Sequence, residues 1–260
     1  MQYSFRYTLL FAAAICAVCS VLVSTAAISL KSRQDDNRLL DQRKKVLAVA
    51  GLLEAGERVS RDEVNKRFEE NLVPRVVELE TGAYVDNVDP TTFDQRRASK
   101  NPQTSRVAKP NRAKVSRVPN LALVYQLQRG DEVDSIILPI EGKGLWSTLY
   151  GYLALADDAR TIRGITFYQH GETPGLGGEV DNARWKALWP GRLAFGDDGK
   201  PRIKVIKGRA GPPDEDPYEV DGLSGATITS NGVTHLVQFW LGDEGFGPYL
   251  DVYRKSRKES

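Results

Sequence analysis

The stretch DGLSGATITSNG, Asp221 to Gly232, places four hydroxyls, on Ser224, Thr227, Thr229 and Ser230, among glycines just where an apolar helical pattern begins. Three chemistries suit such a stretch. A serine nucleophile elbow around Ser224 needs a hydrophobic strand leading in, then an acid and a histidine further along. Here the lead-in, GPPDEDPYEVD, is full of proline and charge, and no acidic residue lies between Ser224 and His235, so serine-hydrolase chemistry is excluded. A phosphate site needs exposed backbone N–H groups at the positive end of a helix, which a glycine and small hydroxyl residues leave open. Gly225 would let an anion approach the backbone, while Ser224 and Thr227 could donate to it. A plain helix cap needs only one hydroxyl, and this stretch offers four. There is no G-x-x-x-x-G-K-[ST] pattern, so a nucleotide-hydrolysing P-loop is excluded. Spacing alone leaves phosphate site and cap both open.

A second candidate is HGETPGLGG, His170 to Gly178, directly after a strand-like run. Gly175, Gly177 and Gly178 around Leu176 make a loop able to lie flat against a planar ligand, and Glu172 and Thr173 offer hydrogen bonds at its edge. The same glycines would also serve a simple strand-to-helix turn. A third turn, GKGLW, Gly142 to Trp146, adds an aromatic suited to packing on a ring system or into a core.

These turns need elements to hold them. LALVYQL, SIILPIEG, IRGITFYQH and PRIKVIKG read as strands. GLWSTLYGYLALA is ambiguous between strand and helix. DNARWKALWPG reads as a short helix capped by Asp181 or Asn182. Val233, Leu236, Val237, Trp240 and Leu241 recur at helical spacing, giving an amphipathic helix that grows out of the hydroxyl-rich stretch. The order of strands and helices predicts an α+β domain over 121–260. Upstream, DDNRLLDQRKKVLAVAGLLEAG reads as a helix stopped at Gly56, and SRDEVNKRFEENLVPRVVEL as one capped by Ser60 and interrupted at Pro74. Arg96 to Arg117 holds eight basic residues and no acidic one, without apolar periodicity. It reads as a loop whose charge is solvated or meets an acidic partner or lipid headgroups. Residues 35–120 thus form a helical segment with a basic insert.

The 260-residue chain carries a net charge of only +2, against the large basic excess of a general nucleic-acid binder. Its two cysteines, Cys16 and Cys19, share the first apolar run, and it has two histidines, so no thiolate or His-rich metal site is expected. Tyr7 to Leu30 is uncharged. As a helix it would extend roughly 36 Å, enough to cross a hydrocarbon core of about 30 Å. A cleaved signal peptide with a site at Ser24-Thr25-Ala26 is the alternative; the length of the run and the flanking Lys31 and Arg33 favour an anchor within 1–34. The basic residues after the span, taken alone, would put the bulk of the chain in the cytoplasm.

S-G-A-T-I-T, Ser224 to Thr229, resembles the flavinylation signature of covalently bound FMN domains, and H-G-E-T-P-G-L-G resembles that family's second loop. The ending GDEGFGPYL, Gly242 to Leu250, is similar to one branch, the C subunits of sodium-translocating NADH:quinone reductases. That resemblance implies a single N-terminal transmembrane helix followed by a mixed α/β FMN-binding domain. It implies FMN held by a phosphoester to Thr229, with Ser224, Gly225, Ala226 and Thr227 as phosphate cradle. Glu172, Thr173, Gly175, Leu176 and Gly177 would lie against the flavin, with Trp146 packed on it. It further implies an electron carrier without a substrate site of its own, seated in the bacterial inner membrane with its soluble domain on the periplasmic side, contrary to the charge count. Its partners would be the other membrane, flavin and iron–sulfur subunits, membrane lipid, and a flavin transferase using FAD and magnesium. The G subunits of Rnf-type electron transport complexes share both motifs; the insert over 35–120 and the GFGPYL ending favour the sodium-pump branch. A flavin-free anchored scaffold is the reading from a different class.

Overall fold

The structure, a computed structural model, describes residues 4–54, 56–130 and 132–259. The chain divides into two units, Met1–Gln42 and Arg43–Ser260. The first is most of α1, Phe5–Val49, whose most apolar window has a mean hydropathy of 2.4 and no residue buried. It is long and apolar enough to cross a membrane. The helix expected after the anchor is continuous with it. Its stop is Gly51, at φ +75°, and not Gly56. Leu52 N–H reaches Leu47 O (2.8 Å) and Gly51 N–H reaches Ala48 O (3.1 Å), a Schellman ending that needs a left-handed residue at Gly51.

In the second unit, α2, Arg61–Asn71, starts as expected at Ser60, whose hydroxyl accepts from Glu63 N–H. The helical reading of SRDEVNKRFEENLVPRVVEL, with its interruption at Pro74, is corrected in its second half: α2 ends at Asn71 and the chain turns at Leu72 into strand β1, Leu72–Glu78. Proline biases the preceding residue to an extended backbone, and Val76 and Val77 find a partner strand to pair with. The basic insert is also more ordered than expected. It forms α3, Gln95–Lys100, and a ribbon of β2, Ser105–Val107, with β3, Arg117–Pro119. Its charges act as donors: Arg117 bonds Ser105 Oγ and O, and Arg106 bonds Glu244 O, while Lys109 pairs with the Glu244 carboxylate.

Strands β4, Leu121–Arg129, β5, Glu132–Lys143, β6, Thr148–Ala156, and β7, Ile162–Gln169, join β1 in an antiparallel sheet of order β1-β4-β5-β6-β7. Pro74 is tolerated because β1 is an edge. The ambiguous LYGYLALA run is settled as strand by pairing with β5 on one side and β7 on the other. Because β1 precedes residue 120 and pairs with β4 beyond it, the expected boundary there lies inside one compact unit.

After β7 come a 3-10 turn, Gly177–Asp181, and α4, Ala183–Lys186, capped by Asn182. The strand expected in PRIKVIKG shrinks to β8, Lys204–Val205, paired in parallel only with β9, Glu219–Val220. The chain closes with α5, Thr227–Leu241, and α6, Gly247–Glu259, a helix that was not among the sequence expectations. Side chains alternate across the sheet. Ile136, Leu138 and Ile140 join Leu236, Val237, Trp240, Tyr249 and Leu250 in the main core. On the other face, Phe68 meets Tyr125 edge-on and Val49 packs by Gly164. The helix α5 lies directly on β5, where Gly142 and Gly232 permit close approach. A Cβ on Gly142 would fall 2.5 Å from Leu236 Cβ, and one on Gly232 would fall 2.4 Å from Lys143 O. Trp240 Nε1–H fixes the helix further by donating to Glu141 O at 2.7 Å.

Candidate functional site

Three turns meet at the start of α5. The first turn of the helix contributes Thr229, which has no solvent exposure. Its hydroxyl donates to Glu172 Oε2 at 2.6 Å. Glu172, 5% exposed, stands at the head of the loop after β7. The β5–β6 turn, closed by Gly144 N–H to Ser147 O, completes the cluster. It delivers Leu145 N–H to Glu172 Oε2 at 3.2 Å, and Trp146 and Ser147 N–H to Oε1 at 3.0 and 3.1 Å. Burial pushes the Glu172 carboxyl up, but the Thr229 hydroxyl and the N–H groups of Trp146, Ser147 and Leu145 outweigh it. The net result lies below the usual carboxylate range. Ser147 Oγ accepts from Gly171 N–H, and His170 Nδ1 accepts from Glu172 N–H while its Nε2 faces Asp181 Oδ2 at 2.9 Å. That pattern places the imidazole proton on Nε2.

Two glycines let the turns close. A Cβ on Gly177 would stand 2.6 Å from Thr229 Oγ1, and one on Gly144 would stand 2.7 Å from Glu172 Oε1. A rim of apolar side chains surrounds the buried pair. Trp146 is 70% exposed, and Leu145, Leu176 and Ile228 are exposed as well. Trp146 is therefore not a core residue. Leu176 also touches the opening stretch: a Cβ on Gly225, itself at φ +69°, would meet Leu176 Cδ2 at 2.9 Å. Thr173 and Gly175 lie exposed on the loop, with Thr173 O accepting from Leu176 and Gly178 N–H to hold its turn.

The other hydroxyls part company with Thr229. Ser230 Oγ accepts from Leu223 N–H at 3.0 Å, which gives it a local structural task. Neither Ser224 nor Thr227 caps α5; the N-cap is Ala226, which offers no side-chain bond. Both are exposed and line a pocket of about 510 Å³ with Gly225, Lys207 and Arg209. An uncapped helix start beside two cations is an anion-compatible place, with Asp221 as the one acidic residue in the same lining. Thr229 does not line that pocket, so the cradle residues and the Thr229 hydroxyl occupy different sides of the same helical turn. The sequence expectations missed Lys207, Arg209, Ile228 and the Leu145–Ser147 amides. Backbone donors leave no mark on a sequence, and the two cations sit on a different element. Glu172 was also expected at a ligand's edge, whereas its carboxylate is spent inside the protein.

Residues 144–242 match the family of FMN-binding domains, the class that this fold and site define. The whole chain can be placed more closely. It is 46% identical over 252 residues to the C subunit of the Na(+)-translocating NADH-quinone reductase of Yersinia pestis, covering 95% of this chain and 92% of that one. It is equally identical to the corresponding subunit of Vibrio anguillarum, with 96% of each chain covered. The crystal structure of Shewanella oneidensis NqrC superimposes with a TM-score of 0.75 at 35% identity, covering 84% of this chain and 98% of that one. The chain belongs to the family of the C subunits of Na(+)-translocating NADH-quinone reductases.

Proposed function

We propose that Thr229 carries FMN through a phosphoester on Oγ1. In this reading the chain is a membrane-anchored flavoprotein subunit that passes electrons within a sodium-translocating NADH:quinone reductase. The observation that carries it is the constellation at α5: a threonine hydroxyl in the first helical turn, a carboxylate on its oxygen, and a rim of exposed apolar side chains around it. The residues fit the group. Trp146, Leu145, Leu176 and Ile228 are apolar surface that a planar ring system would cover. The uncapped start of α5 favours negative charge at the first helical turn, which carries Thr229, while the groove with Lys207 and Arg209 lies on the side of Ser224, Gly225 and Thr227 and not of the Thr229 hydroxyl. Bound there, FMN supplies the redox chemistry. The protein fixes its position and keeps it from dissociating, which matters for a domain on the periplasmic side of the inner membrane. The apolar part of α1 would be the single membrane pass. Partners are the other membrane, flavin and iron–sulfur subunits, and a flavin transferase for maturation.

Thr229 has no exposure, so attachment requires the Leu145–Ser147 turn or the Glu172 loop to move aside. A denaturing gel under illumination tests the reading: the band of the protein from its native host fluoresces, and that of Thr229→Ala does not. Mass spectrometry of the peptide spanning Asp221 to Trp240 shows FMN less water. Fluorescence lost on denaturation, or retained in Thr229→Ala, overturns the proposal and favours a scaffold without covalent flavin.

A further inference from the structure

We infer that Glu172 is the base that takes the proton from Thr229 as the flavin is attached, and that it then holds this proton against the ester oxygen. This rests on the reading of Thr229 as the attachment residue. The geometry points to it because the Thr229 hydroxyl has one acceptor, Glu172 Oε2, at 2.6 Å, and the carboxylate is held there by three backbone amides, with the Ser147 hydroxyl 3.5 Å from Oε1. Three amides of the Leu145–Ser147 turn fix its orientation, and Gly144 and Gly177 leave room for the carboxylate and the hydroxyl to meet. Thr229 lies on α5 and Glu172 on the loop after β7, so lifting the Leu145–Ser147 turn displaces neither backbone, although it withdraws the three amides from the carboxylate.

Thr229 Oγ1 attacks the phosphorus on the flavin side of a flavin dinucleotide's pyrophosphate. The Oγ1–P bond forms, and the bond from that phosphorus to the bridging oxygen breaks. The nucleoside monophosphate leaves with the electron pair, and the Thr229 proton passes to Glu172 Oε2. Nothing is oxidised or reduced. A carboxylate suits the role, because it already polarises the O–H bond of an otherwise weak nucleophile.

Electrostatics then keep the proton on Glu172. Once attached, Oγ1 has no hydrogen, and the phosphodiester beside it is an anion. A buried carboxylate 2.6 Å from an oxygen without a proton between them would be two acceptors in contact, next to a like charge. Holding the proton removes both penalties and leaves a hydrogen bond in place. The titratable groups on the neighbouring elements include His170 on the same loop, Glu179 and Asp181 on the 3-10 turn, Lys143 at the end of β5, and His235 further along α5. His170 is already turned to Asp181, and no charged side chain figures among the causes of the Glu172 shift.

The test uses the full-length chain, unlabelled, with a flavin transferase, FAD and magnesium. Glu172→Gln keeps the shape and cannot take the proton. Its labelling at saturating chain is expected to fall about a hundredfold or more with KM unchanged. Labelling within threefold of the wild type overturns the inference while leaving Thr229 in place. If Thr229→Ala takes the label, it is the attachment reading that fails instead. Should Glu172→Gln not fold, infrared spectra of the wild type with isotope-labelled glutamate decide. A protonated carboxyl band that appears on flavin attachment is expected, and its absence overturns the inference.

Discussion

Gly177 offers a direct measure of how tightly the site is closed. It opens the 3-10 turn with no positive φ, so alanine there introduces only a methyl group. That methyl would stand 2.6 Å from Thr229 Oγ1 and 2.8 Å from Glu172 Oε2, closer than such contacts allow. Glu172 cannot retreat without leaving the amides of Leu145, Trp146 and Ser147, and Thr229 is fixed by the helix. The 2.6 Å bond between them is the contact that gives way. A buried hydrogen bond to a charged group is worth about 1.5–3 kcal/mol, and overpacking costs about 1–3 kcal/mol. We therefore expect Gly177→Ala to destabilise the unlabelled protein by about 2–3 kcal/mol. For a unit of this size, that lowers the melting temperature by roughly 4–12 °C. Urea unfolding of Gly177→Ala, Thr229→Ala and the double variant isolates the cause. Without the Thr229 oxygen the shortest contact is gone and Glu172, at 2.8 Å and free of its bond to Thr229, is left as the partner, so the alanine penalty should shrink by at least about 1 kcal/mol. An equal penalty in both backgrounds would refute the steric argument.

Two further predictions concern the seam between α5 and β5. Burial raises the Glu141 carboxyl, offset in part by Arg96 and Lys100. A raised carboxyl gives stability below its unfolded range that is lost as pH climbs through the folded value. Glu141→Gln should therefore gain on the wild type at pH 7 and lose that gain near pH 4, read from urea midpoints; an identical difference at both would contradict it. Trp240→Phe deprives Glu141 O of its 2.7 Å donor, the fully buried Trp240 indole, at a part-buried place. Calorimetry should show a loss of about 1–3 kcal/mol, and a neutral result would mean that water replaces the indole.

Local rules carried the sequence reading where local physics decides. Ser60, Asn182 and the spacing of Val233, Leu236, Val237 and Trp240 were legible because caps and amphipathic stripes need only near neighbours. They misled at VPRVVEL, which has helical flanks but turns extended because β4 offers an edge to pair with. They misled again in the basic insert, where part of the order comes from Glu244, whose carbonyl and carboxylate lie far along the chain from Arg106 and Lys109.

The sequence by itself determined the apolar span, the α+β character and the two motifs that mark the site, because residue types and short spacings suffice for these. It singled out Thr229 among four hydroxyls only through the resemblance. Tertiary structure decided what each hydroxyl does. Ser230 is used by Leu223 N–H, Ser224 and Thr227 face an open groove lined by Lys207, Arg209 and Asp221, and Thr229 alone meets a carboxylate in a hydrogen bond. Glu172 is 57 residues away along the chain, and only the closure of β5, β7 and α5 on one another brings it within 2.6 Å.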